Sequence, residues 1–497
     1  MNLHSPLTAA PDHDVLIVGA GISGISMAAH LKMLSPATGF GIVERRDNLG
    51  GTWDLFRYPG VRSDSDMHSL GFRFEPWIDD KSIADGPAIL AYLNRIVDER
   101  GIREHIELGT RVIAADWRSA EACWHVELEQ GGQRRTVTAR VLYLGSGYYD
   151  YDAPFDPTFA GREDFAGQIV HPQFWPQDLD YAGKRVVVIG SGATAVTIVP
   201  AVAEKAAHVT MLQRTPTWMG ARPSKDAIAN WLRKLLPGKL AYKLTRAKNI
   251  GLHAFFFKRM RARPEKASAF LTRQTQEALG SAWSEKDFTP PYNPWEQRLC
   301  LVPDGDLFEA VRGGRASVVT GTIERFEKDG IRLASGELVP ADVIVTATGL
   351  ALTMGGKIAI SLDGAPVAWN ERYFYRGCMF SNVPNLFVVF GYLNASWTLR
   401  ADNTAEFACR VLNLMRDKRA EVVTPVLPDD HGLVDDDVYA AFSSGYLQRT
   451  KSLMPKNADR LPWRLNMDYF EDRRDFRARP VDDGVLAFAN APATEPA

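Results

Sequence analysis

The fold is decided by residues 14–24, which read DVLIVGAGISG. A short apolar run of strand type leads into three glycines, Gly19, Gly21 and Gly24, and then into a helix-compatible stretch. In a dinucleotide-binding turn the first glycine makes the tight turn, the second lets the backbone approach a pyrophosphate, and the third lets helix pack on strand. The helix N-terminus then faces the anion. A second apolar run ends at Glu44, twenty residues after the third glycine, where an acid would accept a hydrogen bond from a ribose hydroxyl.

The same pattern recurs in residues 185–195, which read RVVVIGSGATA. The three small residues of this second turn are Gly190, Gly192 and Ala195. The position of Glu44 is taken here by Gln213, followed by Arg214 and Thr215. A carboxylate would repel a 2′-phosphate, whereas a neutral side chain followed by Arg and Thr would accept and bind one. Two such turns in one chain predict a flavin, FAD, in the first unit and NADPH in the second.

Composition narrows the class of protein. The chain has 497 residues, of which 45% are hydrophobic and 24% charged, as in ordinary globular proteins, and its length suggests about three domains. The formal net charge of −2 provides no global basic field that would attract nucleic acid. The four cysteines are too scattered for a metal site or for the redox pair of a dithiol oxidoreductase. No signal-peptide pattern and no long apolar stretch is present, which favours a cytoplasmic location.

The order of these patterns predicts an α/β fold of two Rossmann-like dinucleotide-binding domains with a helical insertion. We expect residues 1–150 and 385–497 to form the FAD domain. Residues 151–223 and 295–384 would form the NADP domain, and residues 224–294 the insertion.

The insertion contains a strongly basic segment, residues 222–266, with thirteen basic and two acidic residues and a local net charge of +11. One interpretation is a weak, peripheral contact with a membrane surface. The other is a helical insertion with a solvated basic face and with its aromatic residues, such as those at 255–257, in the core. The second interpretation is favoured.

Two further segments carry a family resemblance. Residues 165–176, FAGQIVHPQFWP, match the fingerprint F-x-G-x-x-x-H-x-x-x-W-P. Residues 50–64, GGTWDLFRYPGVRSD, match the pattern [AG]-G-x-W-x-x-x-x-[FY]-P-[GM]-x-x-x-D at every fixed position. The chain resembles the Baeyer–Villiger monooxygenases over essentially its whole length, and it is most similar to their ethionamide-activating subgroup. The fixed positions of the fingerprint are Phe165, Gly167, His171, Trp175 and Pro176.

The resemblance implies a reaction. In this family NADPH reduces FAD, which reacts with O2 to give a C4a-peroxyflavin, and this attacks a ketone to yield an ester or lactone. Sulfoxidation of thioethers is an expected side reaction. The resemblance assigns the catalytic roles to Arg298, which would stabilise negative charge, and to Asp64, which would orient the guanidinium.

The resemblance also implies roles around the cofactors. Gly51, Thr52, Trp53 and Asp64 would contribute to flavin binding, and His171 would act as a hinge residue between the domains rather than in direct chemistry. Trp397 is a candidate for the substrate pocket, with core packing an equal alternative. Many family members have Lys before the catalytic Arg, where this chain has Gln297, so the selectivity for NADPH over NADH would rest on Arg214 and Thr215.

Two other functions share this architecture. A flavin-containing monooxygenase would form N-oxides or S-oxides, but the Trp175-Pro176 ending and the complete 50–64 segment favour the Baeyer–Villiger type. A nucleotide-binding redox sensor or membrane-docking scaffold would need neither Asp64 nor Arg298. Because both residues are present, this function is the less favoured one.

Overall fold

The structure, a computed structural model, describes residues 10–437 and 445–491. Residues 1–9, where no signal-peptide pattern was found, lie outside the described residues. Residues 438–444 and 492–497, which belong to the expected FAD domain, also lie outside them.

The first sheet has nine strands and a parallel centre. Strand His13–Val18 lies between Phe40–Val43 and Gln133–Leu144, parallel to both. Its apolar run from residue 15 to 18 is buried, as expected for a parallel strand covered on both faces. In order across the sheet the strands are Ala365–Pro366, Ala359–Leu362, Thr110–Arg118, Cys123–Gln130, Gln133–Leu144, His13–Val18, Phe40–Val43 and Ile106–Glu107, with Leu386–Val388 also pairing with Gln133–Leu144.

The second sheet has five strands, all parallel. In order they are Ala316–Thr320, His208–Gln213, Arg185–Ile189, Val343–Thr346 and Gln168–Val170. Each sheet therefore contains a central strand followed by a glycine turn and a helix. The predicted α/β class with two parallel-sheet units is confirmed.

One expected boundary is wrong. The second part of the NADP domain was expected to continue to residue 384, but strand Ala359–Leu362 pairs with Thr110–Arg118 of the first sheet. The chain thus returns to the first sheet well before residue 385. The physical reason is an antiparallel meander of three strands between Thr110 and Leu144, which the sequence patterns did not reveal. The outer strand of this meander, Thr110–Arg118, leaves one edge unpaired, and strand Ala359–Leu362 covers that edge.

The remaining elements surround the two sheets. The smaller strand pairings are Met219–Arg222 with Cys300–Pro303, Ile323–Glu327 with Gly330–Leu333 and Leu338–Pro340, Phe374–Tyr375 with Met379–Phe380, and Val422–Pro425 with Leu486–Ala489. The helices outside the insertion are Ile22–Leu34, Thr52–Leu55, Met67–Leu70, Gly86–Glu99, Ala193–Val202, Asp306–Arg312, Trp397–Lys418, Gly445–Thr450 and Tyr469–Ala478.

The insertion is helical and is anchored on the first unit. Its helices are Ala227–Leu235, Gly238–Ala262, Pro264–Leu279 and Glu285–Phe288. In the second of these the buried Arg246 donates hydrogen bonds to the backbone carbonyl oxygens of His68, Ser69 and Gly71 at 2.6–3.1 Å. Across residues 10–437 and 445–491, no helix combines the length and the apolar content that a membrane span requires.

The fingerprint segment, residues 165–176, contains strand Gln168–Val170, which forms one edge of the second sheet. A Cβ atom at Gly167 would lie 2.2 Å from the carbonyl oxygen of Asp342, so only glycine allows this close approach. Phe165 is buried in the same apolar cluster as Phe326. These two fixed positions are therefore explained by packing.

We predict that Gly167→Ala lowers the free energy of unfolding by ~1–3 kcal/mol, because the added methyl group meets both the carbonyl oxygen of Asp342 and the buried ring of Phe165. Gly238→Ala is the control, since no atom lies within 4 Å of the added Cβ there. Urea unfolding of the two variants checks this. Equal midpoints for the two variants would contradict the packing explanation.

Candidate active site

The first glycine turn is held by a close contact. Gly19 has φ of +100°, and its N–H donates to the carbonyl oxygen of Val43 at 2.7 Å. A Cβ atom at Gly24 would lie 1.9 Å from the carbonyl oxygen of Gly19. The third glycine therefore lets helix Ile22–Leu34 sit directly on the turn, and its N-terminus opens toward the cavity described below.

Glu44 is fixed beside this turn. It is 4% exposed and follows strand Phe40–Val43. Its carboxylate accepts hydrogen bonds from the N–H groups of Ala20, at 2.8 Å, and Arg46, at 3.0 Å. Burial raises the pKa of Glu44, and these two bonds oppose that shift. An ionised carboxylate has about four acceptor sites, so acceptor capacity remains for a ligand hydroxyl.

The segment 50–64 wraps over the turn. The N–H of Gly50 donates to the carbonyl oxygen of Ala20 at 2.9 Å, and a Cβ atom at Gly51 would lie 3.0 Å from the Cα of Gly21. The hydroxyls of Thr52 and Tyr151 are 3.1 Å apart. Two backbone segments without side chains thus face each other, an arrangement that suits a phosphate-bearing ligand at the helix N-terminus.

A large cavity runs from Glu44 to Asp64 and Arg298. Its wall combines both glycine-turn units, since Ala193 and Thr194 at the start of helix Ala193–Val202 also line it. The residues predicted for the site that line this cavity are Gly19, Gly21, Glu44, Gly51, Thr52, Trp53, Asp64 and Arg298. The other predicted residues, Gly24, Gly190, Gly192, Ala195, Arg214, Thr215, Phe165, Gly167, His171, Trp175 and Pro176, are not among its lining residues.

Asp64 and Arg298 meet in this cavity. The Nη2 atom of Arg298 lies 3.0 Å from Oδ2 of Asp64, and the two side chains are 35% and 40% exposed. Arg298 is positioned by strand Cys300–Pro303, which pairs in parallel with Met219–Arg222. The two residues are far apart in sequence and come together because segment 50–64 reaches the second unit.

The second glycine turn repeats the geometry of the first. Gly190 has φ of +133°, and a Cβ atom there would lie 2.3 Å from the carbonyl oxygen of Ala347. A Cβ atom at Gly192 would have no neighbour within 4 Å, so its backbone faces open space. The Ser191 hydroxyl donates to the carbonyl oxygen of Thr215 at 3.0 Å, which ties this turn to the loop after the next strand.

Gln213, the neutral residue at the position that corresponds to Glu44, is buried. It is 1% exposed, and its amide nitrogen donates to the carbonyl oxygen of Asp287 at 2.7 Å and to Thr320 Oγ1 at 2.9 Å. Its side chain links the sheet to the insertion. Arg214 is exposed and makes no ion pair with any residue that the structure describes, so it is available to an anion.

His171 follows strand Gln168–Val170 and is not among the residues that line the cavity of the Asp64–Arg298 pair. Its Nδ1 atom accepts a hydrogen bond from the N–H of Gln173 at 3.1 Å, and burial lowers its pKa. Trp175 packs edge-on against Tyr181, with ring centroids 6.2 Å apart. A hinge role for His171 stays a prediction.

An aromatic wall was only partly anticipated. Trp397 lines the cavity, donates from Nε1 to the Ser23 hydroxyl at 2.8 Å, and stacks on Tyr148 with ring centroids 4.7 Å apart. Tyr148 and Tyr149 line the cavity as well and were missed. Their signal in the sequence was the run of tyrosines that follows Gly145 and Gly147.

Comparisons with known proteins place the chain in a family. A family model described as pyridine nucleotide-disulphide oxidoreductase matches residues 16–250. All four cysteines are free and buried, however, so no disulfide pair is present. The solved structure of OTEMO in complex with FAD and NADP is 22% identical, with a TM-score of 0.76 over 97% of this chain and 100% of that one. The ε-caprolactone-bound structure of cyclohexanone monooxygenase is 21% identical, with a TM-score of 0.75 over 96% of this chain and 99% of that one.

Two curated relatives are much more similar in sequence. The FAD-containing monooxygenase EthA of Mycolicibacterium smegmatis is 49% identical over 477 residues, covering 96% of each chain. The probable FAD-binding monooxygenase AlmA of Acinetobacter baylyi is 46% identical over 477 residues, again covering 96% of each chain. The solved structures agree in fold, and the two relatives align with this chain over 96% of its length. This chain therefore belongs to the family of FAD-containing monooxygenases.

Proposed function

We propose that this enzyme is an NADPH-dependent Baeyer–Villiger monooxygenase that inserts one oxygen atom of O2 beside a ketone carbonyl to give an ester or lactone. The observation that carries the proposal is the Asp64–Arg298 ion pair in a cavity lined by both glycine-turn units. Bound FAD, once reduced, supplies the chemistry that activates oxygen. The residues of the chain hold the reactants and stabilise charge.

Arg298 is proposed to stabilise the negative charge that develops on the former carbonyl oxygen. A guanidinium stays charged at any working pH and offers donors in a fixed plane. Asp64, 3.0 Å away, would hold that plane in one orientation. Oxidation of a thioether develops no carbonyl oxyanion, so this pair supports ester formation more than sulfoxidation, which we expect as a side activity.

The first unit is proposed to hold FAD. Its pyrophosphate would lie at the N-terminus of helix Ile22–Leu34, between the backbones of Gly21 and Gly51, with the free acceptor sites of Glu44 on a ribose hydroxyl. Supporting this, these residues line one continuous cavity with the Asp64–Arg298 pair.

The second unit is proposed to hold NADPH. Its pyrophosphate would approach the open backbone at Gly192. Its 2′-phosphate would meet Arg214 and Thr215, which follow strand His208–Gln213. Gln297 brings no positive charge to this site, so Arg214 is left as the principal phosphate ligand.

We predict that the purified enzyme converts a linear or aryl ketone to an ester, and that Arg298→Ala lowers the turnover number for ester about 100- to 1000-fold, as for loss of one oxyanion donor. Product analysis by gas chromatography, with a thioether supplied in parallel, measures this. Arg298→Lys is the matched variant: it keeps the charge without the planar fork and should retain intermediate activity.

Flavin absorbance must persist in both variants, so that a loss of ester reports chemistry rather than a loss of cofactor. Sulfoxide without ester from any ketone would refute the proposal in favour of an enzyme that forms N-oxides and S-oxides. Unchanged ester formation in Arg298→Ala would refute the assigned role of this residue.

A second prediction concerns the nicotinamide cofactor. Arg214→Ala should raise the KM for NADPH about tenfold or more, with little change in kcat or in the KM for NADH, because only NADPH carries the 2′-phosphate. Arg315→Ala is the control, since Arg315 is an exposed arginine of the same sheet region. Steady-state kinetics with both cofactors measure this, and equal effects on NADPH and NADH would contradict a phosphate contact.

A further inference from the structure

Exposed apolar side chains concentrate on the insertion. Of the seventeen large hydrophobic side chains that are exposed among the described residues, nine lie between residues 228 and 270. They include Trp231, which is 58% exposed, and Phe255 and Phe256, which are 56% and 52% exposed. The expectation that the aromatic residues of the insertion are core is therefore wrong for this phenylalanine pair. A cluster of this kind marks an interaction surface.

The spacing places these side chains on helix faces. Ile228, Trp231 and Leu235 follow one another at three and four residues, on one face of helix Ala227–Leu235. On helix Gly238–Ala262, Phe255 and Phe256 stand three and four residues after Leu252.

A neighbouring stripe of that long helix contacts the rest of the protein. Tyr242 donates to the Phe72 carbonyl oxygen at 2.9 Å, and Asn249 donates to Asp66 at 2.8 Å. The insertion is thus fixed to the protein through the middle of this helix, while Leu252, Phe255 and Phe256, nearer its C-terminal end, remain exposed.

The segment that carries these apolar side chains is also strongly positive. Nine of the thirteen basic residues in segment 222–266 are exposed and make no ion pair within the part of the chain that the structure describes; Lys234, Lys239 and Lys243 are among them. The four that are paired inside the protein are Arg233 with Asp80, Arg246 with Asp402, Lys248 with Asp226, and Lys258 with Asp468.

We propose that this face of the insertion docks on an anionic phospholipid bilayer. Trp, Phe and Leu side chains would enter the interfacial region, while Lys and Arg side chains pair with lipid phosphates, as in helices that lie in the plane of a membrane. Charge complementarity favours a bilayer over a second copy of this chain, because two copies would bring two unpaired basic surfaces together. The proposal is independent of the reaction catalysed.

Flotation of the full-length, FAD-bound protein with lipid vesicles tests the proposal. Vesicles of phosphatidylcholine containing about one third phosphatidylglycerol should carry the protein upward at low salt, and vesicles of phosphatidylcholine alone should carry much less. High salt should weaken the binding, since it screens the charges at the surface.

Two triple variants separate the contributions of charged and of apolar side chains to vesicle binding. The charge variant K234E/K239E/K243E should weaken binding to anionic vesicles at least ~100-fold, because each basic residue near the membrane surface raises the binding constant about five- to tenfold. The apolar variant I228S/W231S/L235S should weaken binding to both kinds of vesicle. Leu34→Ser and Lys328→Glu are matched controls at exposed positions outside the insertion and should bind normally.

Retained flavin absorbance and an unchanged melting temperature would show that the variants fold. Absence of binding by the unmodified protein, or binding that neither triple variant reduces, would overturn the proposal. A dimer that the apolar variant dissociates, without any vesicle binding, would assign this face to a second copy of the chain and would overturn the proposal as well.

Discussion

The carbonyl oxygen of Gly19 and the missing side chain of Gly24 form the contact on which the site depends. Because a Cβ atom at residue 24 would lie 1.9 Å from that oxygen, helix Ile22–Leu34 can sit against the turn only with glycine there. Gly145, from the end of the neighbouring strand, packs into the same place, where its Cβ would lie 3.0 Å from the Gly24 nitrogen. The turn then presents Ala20, whose N–H holds Glu44 and whose carbonyl oxygen holds Gly50.

The segment 50–64 connects the glycine turn of the first unit to the second unit. A Cβ atom at Gly60 would lie 2.9 Å from the Thr197 carbonyl oxygen, so this segment rests directly on helix Ala193–Val202. Asp64 at its end then reaches Arg298. A partly exposed ion pair contributes only about 0–1 kcal/mol to stability, so the value of this pair lies in the orientation of the guanidinium.

Structure that depends on local sequence patterns could be predicted from the sequence, whereas contacts between residues far apart in the chain could not. The glycine turns and the strands beside them follow from steric rules that act within thirty or so residues, which is why both parallel units were predicted correctly. The role of Gln213 depends on contacts with Asp287 and Thr320, which no local pattern reveals. The return of the chain at Ala359–Leu362 likewise depends on a meander elsewhere in the sequence. The exposure of Phe255 and Phe256 likewise depends on which part of their helix contacts the first unit, because Phe256 is exposed although it lies two turns after the anchored Asn249.

We propose that Asp64 acts through Arg298 rather than on the substrate. A double-mutant cycle on the rate of ester formation, with Asp64→Ala, Arg298→Ala and the double variant, measures the coupling of the two residues directly. We expect Asp64→Ala to slow the reaction in the otherwise unmodified enzyme but to have little further effect once Arg298 is absent. Equal effects of Asp64→Ala in the two backgrounds would contradict it.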